Sequence, residues 1–237
     1  MAQHISRKEL KKDEVRETFA HGAEAVLSHQ QLTTYLVIAA AVIALGVFGW
    51  RTYSQHQTVK ASAAFDAGMK IFQAPVGAPA TPGEITYTDE KKKFTDAQQK
   101  FGDVATKYPR THPGELARYY SALSLEKLAR NDEAKKDLQG LAGSRDEEVA
   151  AMAQFELAGL DDRTGQEDAA VKLYQQLMAK PTVLVPKPIV MLALAEHYSA
   201  KNPSEAAKLY VQIKSDYPDT PMAEEADQAL ALLPSKS

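Results

Sequence analysis

The chain has no cysteine among its 237 residues, which excludes disulfides, thiolate nucleophiles and every thiolate-held zinc or iron–sulfur site. The compartment stays open, because an oxidising space permits disulfides without requiring them. No charge predominates either: 28 Lys+Arg stand against 31 Asp+Glu, for a net charge of -3. That balance excludes a nucleic-acid binder that neutralises phosphates over a broad surface. The histidines His4, His21, His29, His56, His112 and His197 never stand at the H-x-x-x-H spacing that presents two ligands on one helical turn. Neither a G-x-x-x-x-G-K-[ST] loop nor a G-x-S-x-G elbow occurs. Asp161-Asp162 in DDRTGQED lacks the twelve-residue ligand spacing of a calcium loop and reads as a turn between helices. His197, between Glu196 and Tyr198, has no nucleophile or binding loop beside it and reads as structural. No catalytic, cofactor-binding or metal site is expected, and the chain is not read as an enzyme.

Charge is also missing from one window. Leu32 to Trp50 reads LTTYLVIAAAVIALGVFGW, nineteen residues without a charged side chain; at 1.5 Å per residue that is about 28 Å of helix, close to the roughly 30 Å hydrocarbon thickness. Residues 32–50 are therefore read as a transmembrane helix. Tyr35 at one end, and Trp50 with Tyr53 at the other, suit the headgroup levels, and Arg51 can snorkel outward. Two competitors are a buried core helix and a cleaved signal peptide, for which Ala61-Ser62-Ala63 has the small-x-small look of a processing site. That triplet lies beyond Gln57 and Lys60, and the apolar run is longer than the usual signal core, so retention as an anchor is preferred. Residues 1–31 form a charged tail in which Val15, Phe19, Ala23 and Val26 recur at helical spacing, either an interfacial amphipathic helix or a solvated one. Arg7, Lys8, Lys11, Lys12 and Arg16 favour an amino terminus inside, although most stand far from the span while Arg51 and Lys60 sit close on the other side.

From Arg51 onward strand-like alternation is absent, and a period takes its place. Ala97 precedes Phe101, Ala134 precedes Leu138, Ala170 precedes Tyr174 and Ala206 precedes Tyr210, each by four residues, at intervals of 37, 36 and 36. A small and a bulky residue one turn apart share a helix face, where the first admits a neighbouring helix and the second fills the gap beside it. Val104, Leu141, Leu177 and Ile213 follow the bulky residue by three and extend the stripe. Ala122, Ala158 and Ala195 recur eleven or twelve positions before the next alanine and mark first helices, so each unit is an antiparallel helix pair. Lys107-Tyr108-Pro109 and Asp216-Tyr217-Pro218 end two second helices alike, with Thr111 and Thr220 placed to start the next. Ala61, Ala64, Phe65, Gly68, Met69 and Phe72 mark the first helix of the first pair, and residues 220–233 read as a final capping helix. Two segments interrupt the period. Residues 73–88, with Pro75, Pro79, Pro82, Gly77 and Gly83, form an inserted loop inside the first pair. Residues 181–188 (PTVLVPKP) form an extended connector whose valines and leucine are expected to pack.

In stacked helix pairs the first helices line the concave face. Leu116, Tyr119, Leu123, Met152, Phe155 and either Met191 or Leu192 are then candidates for a groove floor, with Glu126, Lys127, Glu156 and Arg163 on its rim. The alternative is that these side chains pack against neighbouring helices, and burial decides between the two.

The period, the small and bulky positions and the proline endings resemble tetratricopeptide repeats over about Val59 to Leu233, with alanine where the first-helix glycine usually stands (Ala122, Ala158, Ala195). The resemblance implies an all-α fold, a transmembrane helix followed by an antiparallel helix-pair superhelix over residues 51–237. Tail, anchor and repeats together resemble bacterial single-pass proteins related to the ancillary subunit of the Sec translocon. Membership would imply an inner-membrane protein with its amino terminus cytoplasmic and its repeat domain periplasmic, partnered by translocon subunits, periplasmic chaperones and secreted precursor chains. A second resemblance is to periplasmic repeat adaptors of cell-envelope assembly and division. A self-associating structural module is a third reading.

Overall fold

A computed structural model describes residues 30–77 and 85–234. The amphipathic reading of the tail and the centre of the 73–88 insertion lie outside the described residues. Among those residues the secondary structure is helical apart from one isolated bridge: α1 (Gln30–Phe72), α2 (Glu90–Lys107), α3 (His112–Lys127), α4 (Asn131–Leu141), α5 (Glu147–Arg163), α6 (Glu167–Ala179), α7 (Lys187–Ser199), α8 (Pro203–Asp216) and α9 (Pro221–Leu232). The fold is all-α. The chain divides into two compact units, residues 1–56 and 57–237.

In the first unit every side chain of α1 from Thr34 to Trp50 is exposed, with Leu45 and Phe48 each 71% accessible. This is the one described helix long and apolar enough to cross a membrane, and none of its apolar window is buried.

The second unit is built from four helix pairs and a cap. Ala97, Ala134, Ala170 and Ala206 have no accessible surface, and Phe101, Leu138, Tyr174 and Tyr210 are buried beside them. Val104, Leu141, Leu177 and Ile213 complete the stripe, also buried. Consecutive helices pack from α2 to α9. In addition α3 touches α5, α5 touches α7 and α7 touches α9, whereas α2, α4, α6 and α8 do not touch one another among the described residues. The first helices therefore form one layer and the second helices the other, as stacking of pairs requires.

Local chemistry sets the helix borders. Asp89 and Asp146 accept backbone N–H bonds at the starts of α2 and α5, and Thr111 and Thr220 do the same for α3 and α9. The two Tyr-Pro endings adopt one conformation. Tyr108 has φ -128, ψ 47 and Tyr217 has φ -136, ψ 52, and in both turns the threonine hydroxyl donates to the tyrosine carbonyl, at 2.9 and 2.8 Å.

The insertion is pinned at its base. Gly77 N–H donates to the Tyr87 carbonyl at 2.8 Å and Tyr87 N–H to the Pro75 carbonyl at 3.0 Å, a parallel bridge, while the Tyr87 hydroxyl bonds Asp96 on α2 at 3.1 Å. The 181–188 connector departs from expectation. Only Val185 packs; Val183 and Leu184 point outward, 85% and 57% exposed. Their backbone is held instead by the Glu148 carboxylate, which accepts from Val183 N–H at 3.1 Å and Leu184 N–H at 2.9 Å.

Two backbone positions carry opposite constraints. At Gly68 a Cβ would lie 2.5 Å from Cε1 of the Phe101 ring, so this glycine lets α1 close on α2, and it stands near the helix end as Ala122, Ala158 and Ala195 do in the later pairs. Ala129, after α3, sits at φ 58, where its counterpart after α5 is Gly165 at φ 79. A left-handed alanine costs roughly 1–2 kcal/mol that glycine escapes, less the chain entropy glycine loses. We expect Gly68→Ala to lower unfolding stability by about 1–3 kcal/mol through overpacking. Ala129→Gly should raise it by roughly 0.5–1 kcal/mol, both read by urea titration.

Candidate interaction surface

The first-helix layer presents a face whose composition follows from one register. Counting from the close-packed alanines, Leu116, Met152 and Ile189 stand six residues before Ala122, Ala158 and Ala195, and Tyr119, Phe155 and Leu192 stand three before them. Leu116, Leu123, Met152 and Phe155 are half-buried. Met152 packs against two successive core clusters and so bridges the second and third pairs. The Phe155 ring meets the Tyr174 ring edge-on at 6.1 Å.

Three of the expected floor residues belong to the core. Tyr119 is 9% exposed and packs edge-on against Tyr120 at 5.5 Å. Met191 and Leu192 are buried with Ala206, Tyr210, Ile213 and Ala226, because α7 turns that side toward α8 and α9. The half-buried residue of α7 in the floor register is Ile189, which sequence reasoning missed although its offset from Ala195 matches that of Leu116 from Ala122.

The polar groups of this layer join successive units. His112 Nδ1 meets the Asp146 carboxylate at 2.6 Å and His197 Nδ1 meets Asp162 at 2.7 Å, across separations of 34 and 35 residues, close to one repeat. Lys135 on α4 reaches the buried Asp161 at 2.6 Å. His197, whose side chain is 3% exposed, is thus a linking residue of the stack, and DDRTGQED spans the α5–α6 turn, with Asp161 and Asp162 spent on neighbours. Among the described residues no group of three His, Asp or Glu side chains is gathered around a common point.

At the α3–α5 edge, Arg163 is shared between Glu126 and Glu156. The Glu126 side chain is only 11% exposed, and its Oε1 is buried with no hydrogen-bond donor. Burial and the neighbouring Glu156 charge push the Glu126 carboxyl up to about 7, against the pull of Arg163 and Lys127. Burial, with the charges of Asp162 and Glu156, pushes the Tyr174 hydroxyl up to about 12. Burial with Glu196 and Glu225 raises that of Tyr210.

A family model described as a tetratricopeptide repeat-like domain matches residues 28–182. The chain belongs to that tetratricopeptide repeat-like family. No curated protein matches it. The matched segment includes the exposed apolar stretch of α1 and ends with the third helix pair; the fourth pair of this tetratricopeptide repeat-like protein, α7 and α8, nonetheless repeats the same buried alanine and tyrosine. The family assignment makes the domain a protein–protein interaction module in kind, consistent with a face of half-buried apolar side chains edged by charge.

The placement of the membrane-facing candidates is simple. Tyr35, Trp50, Arg51 and Tyr53 are all exposed on α1, and Tyr35 and Tyr53 are about 27 Å apart along the helix axis.

Glu126 generates a pH prediction. An unfolded glutamate loses its proton near 4.5, whereas the folded one holds it to about 7. Between those values the folded state binds more protons, so this group's contribution to stability falls as pH rises through the window. Glu126→Gln removes the dependence. The variant should therefore gain in stability relative to the parent chain between pH 5 and pH 8, as measured by urea unfolding at both values. A constant difference would show that Glu126 is ionised throughout.

Proposed function

We propose that this tetratricopeptide repeat-like protein is a membrane-anchored scaffold, held at the bilayer by the apolar stretch of α1 and receiving a protein partner on the face of α3, α5 and α7. The observation that carries the reading is the exposure of the apolar residues 35–50, which nothing among the described residues buries. Large apolar side chains in water are unfavourable by roughly 25 cal/mol per Å², and a lipid environment removes that cost. Exposure weighs against a core helix. The distance of Ala61-Ser62-Ala63 from the apolar run, with Ala61 fully buried against α2, weighs against removal of the stretch.

Within this reading the protein sits in the bacterial inner membrane with its amino terminus cytoplasmic and its repeats periplasmic. There it assists secretion by handing emerging chains between the Sec translocon and periplasmic chaperones. Support for that step is the combined resemblance of tail, anchor and repeats. The second reading, an adaptor of envelope assembly or division, draws on the resemblance of the Lys107-Tyr108-Pro109 and Asp216-Tyr217-Pro218 endings to those of such adaptors' repeats.

The test is in-cell photocrosslinking from Leu123, Phe155 and Leu45, with the partners identified by mass spectrometry. Translocon subunits from Leu45 and precursor chains or chaperones from Leu123 and Phe155 are expected. A reproducible envelope-assembly partner in their place overturns the secretion role in favour of the adaptor. Adducts of the chain with itself alone would leave a self-associating module. Protection of the repeat domain from protease added to spheroplasts would contradict the orientation.

A further inference from the structure

Four glutamates stand on this layer: Glu126 on α3, Glu156 on α5, Glu196 on α7 and Glu225 on the capping helix α9. They are electrostatic neighbours in sequence along the stack. Glu156 acts on Glu126, and Glu225 on Glu196. The Tyr174 hydroxyl feels both Glu156 and Glu196, and that of Tyr210 feels Glu196 and Glu225. Glu126 with Glu156 and Glu196 with Glu225 thus make two acidic pairs, and Tyr174 stands within the influence of one member of each.

Internal compensation is confined to one pair. Arg163 is shared by Glu126 and Glu156, with Lys127 beside Glu126. Asp162 is occupied by His197. Glu196 and Glu225 form no ion pair among the described residues, and Glu126 Oε1 has no donor there. The same helices carry the half-buried side chains of Leu123, Met152, Phe155 and Ile189.

We infer that the partner seated on this face is a cationic segment with apolar residues, a Lys- or Arg-rich stretch whose apolar side chains lie on Leu123, Met152, Phe155 and Ile189 while its ammonium or guanidinium groups meet Glu156, Glu196 and Glu225. The inference rests on the scaffold reading and names the chemistry of its ligand. Charge selects this occupant. An acidic segment meets the like charges of Glu196 and Glu225, which have no ion-pair partner among the described residues, and a neutral apolar one buries carboxylates without supplying donors, which is costly. A basic segment supplies donors to Glu196 and Glu225 and shares Glu156 with Arg163, while its methylene stems cover the apolar floor.

The test uses the full chain in phosphatidylcholine nanodiscs, with empty nanodiscs as reference. The probes are three fluorescein-labelled sixteen-residue peptides that share leucines and differ in carrying Lys, Gln or Glu at the polar positions. Fluorescence anisotropy should show the Lys peptide binding about tenfold or more tightly than the Gln peptide, with the Glu peptide weakest. The double variant E156Q/E196Q should weaken the Lys peptide by roughly tenfold, two charge contacts of up to about 1 kcal/mol each, and flatten its salt dependence. Phe155→Ala should weaken every peptide that uses the floor. If the Gln or Glu peptide binds in a Phe155-sensitive way at least as tightly as the Lys peptide, the charge inference is overturned and the face remains a binding surface. If Lys-peptide affinity is unchanged in E156Q/E196Q, the inference is likewise overturned. If no peptide is sensitive to Phe155→Ala while the variant keeps its helical spectrum, both the inference and the proposed use of this face fail.

Discussion

The second unit depends on one contact repeated four times, an alanine without accessible surface one turn before a bulky side chain, facing the neighbouring helix. A helix pair of this kind exposes its apolar stripe unless another pair covers it, so stability comes from interfaces between neighbours more than from any unit alone. The alanine sets how close two backbones come, and Phe101, Leu138, Tyr174 and Tyr210 fill the space that approach creates. The first unit is governed by the opposite circumstance, an apolar helix stretch that nothing among the described residues buries.

The polar design of the stack follows from the same geometry. Because successive first helices are about one repeat apart and touch, a side chain near the end of one reaches its counterpart on the next. His112 with Asp146, Glu126 with Arg163 and Asp162 with His197 all exploit that reach. Exposed pairs such as Lys180 with Glu147 contribute little. The buried Asp161, held by Lys135, is the one whose loss of a partner would leave a charge stranded in the core. The Glu126 carboxylate shows the limit of compensation, since one arginine serves two glutamates.

The repeat was legible in the sequence because a period of 36 residues links positions that pack alike; every alanine and bulky residue it singled out is buried. The half-buried apolar stripe of the first-helix layer was legible in part. Leu116, Leu123, Met152 and Phe155 are half-buried, but Tyr119, Met191 and Leu192 are core. The reason is angular: adjacent residues on a helix differ by about 100°, and only the offset from the buried alanine, which points to Ile189, fixes the side. The anchoring of the 181–188 connector by Glu148 was not legible, since a carboxylate that accepts backbone N–H groups 35 and 36 residues away leaves no local pattern. Gly68 was visible as a residue, but its role depends on how closely the Phe101 ring approaches.

The most direct measurement of the stacking claim is native-state hydrogen exchange on the full chain and on Ala170→Leu, which forces a larger side chain into the α5–α6 contact. The account predicts a loss of about 1–3 kcal/mol in protection across α5 to α7, with α2 and α3 keeping most of theirs. Uniform loss from α2 to α9, or no loss at α5 and α6, would contradict nearest-neighbour packing around the small residue.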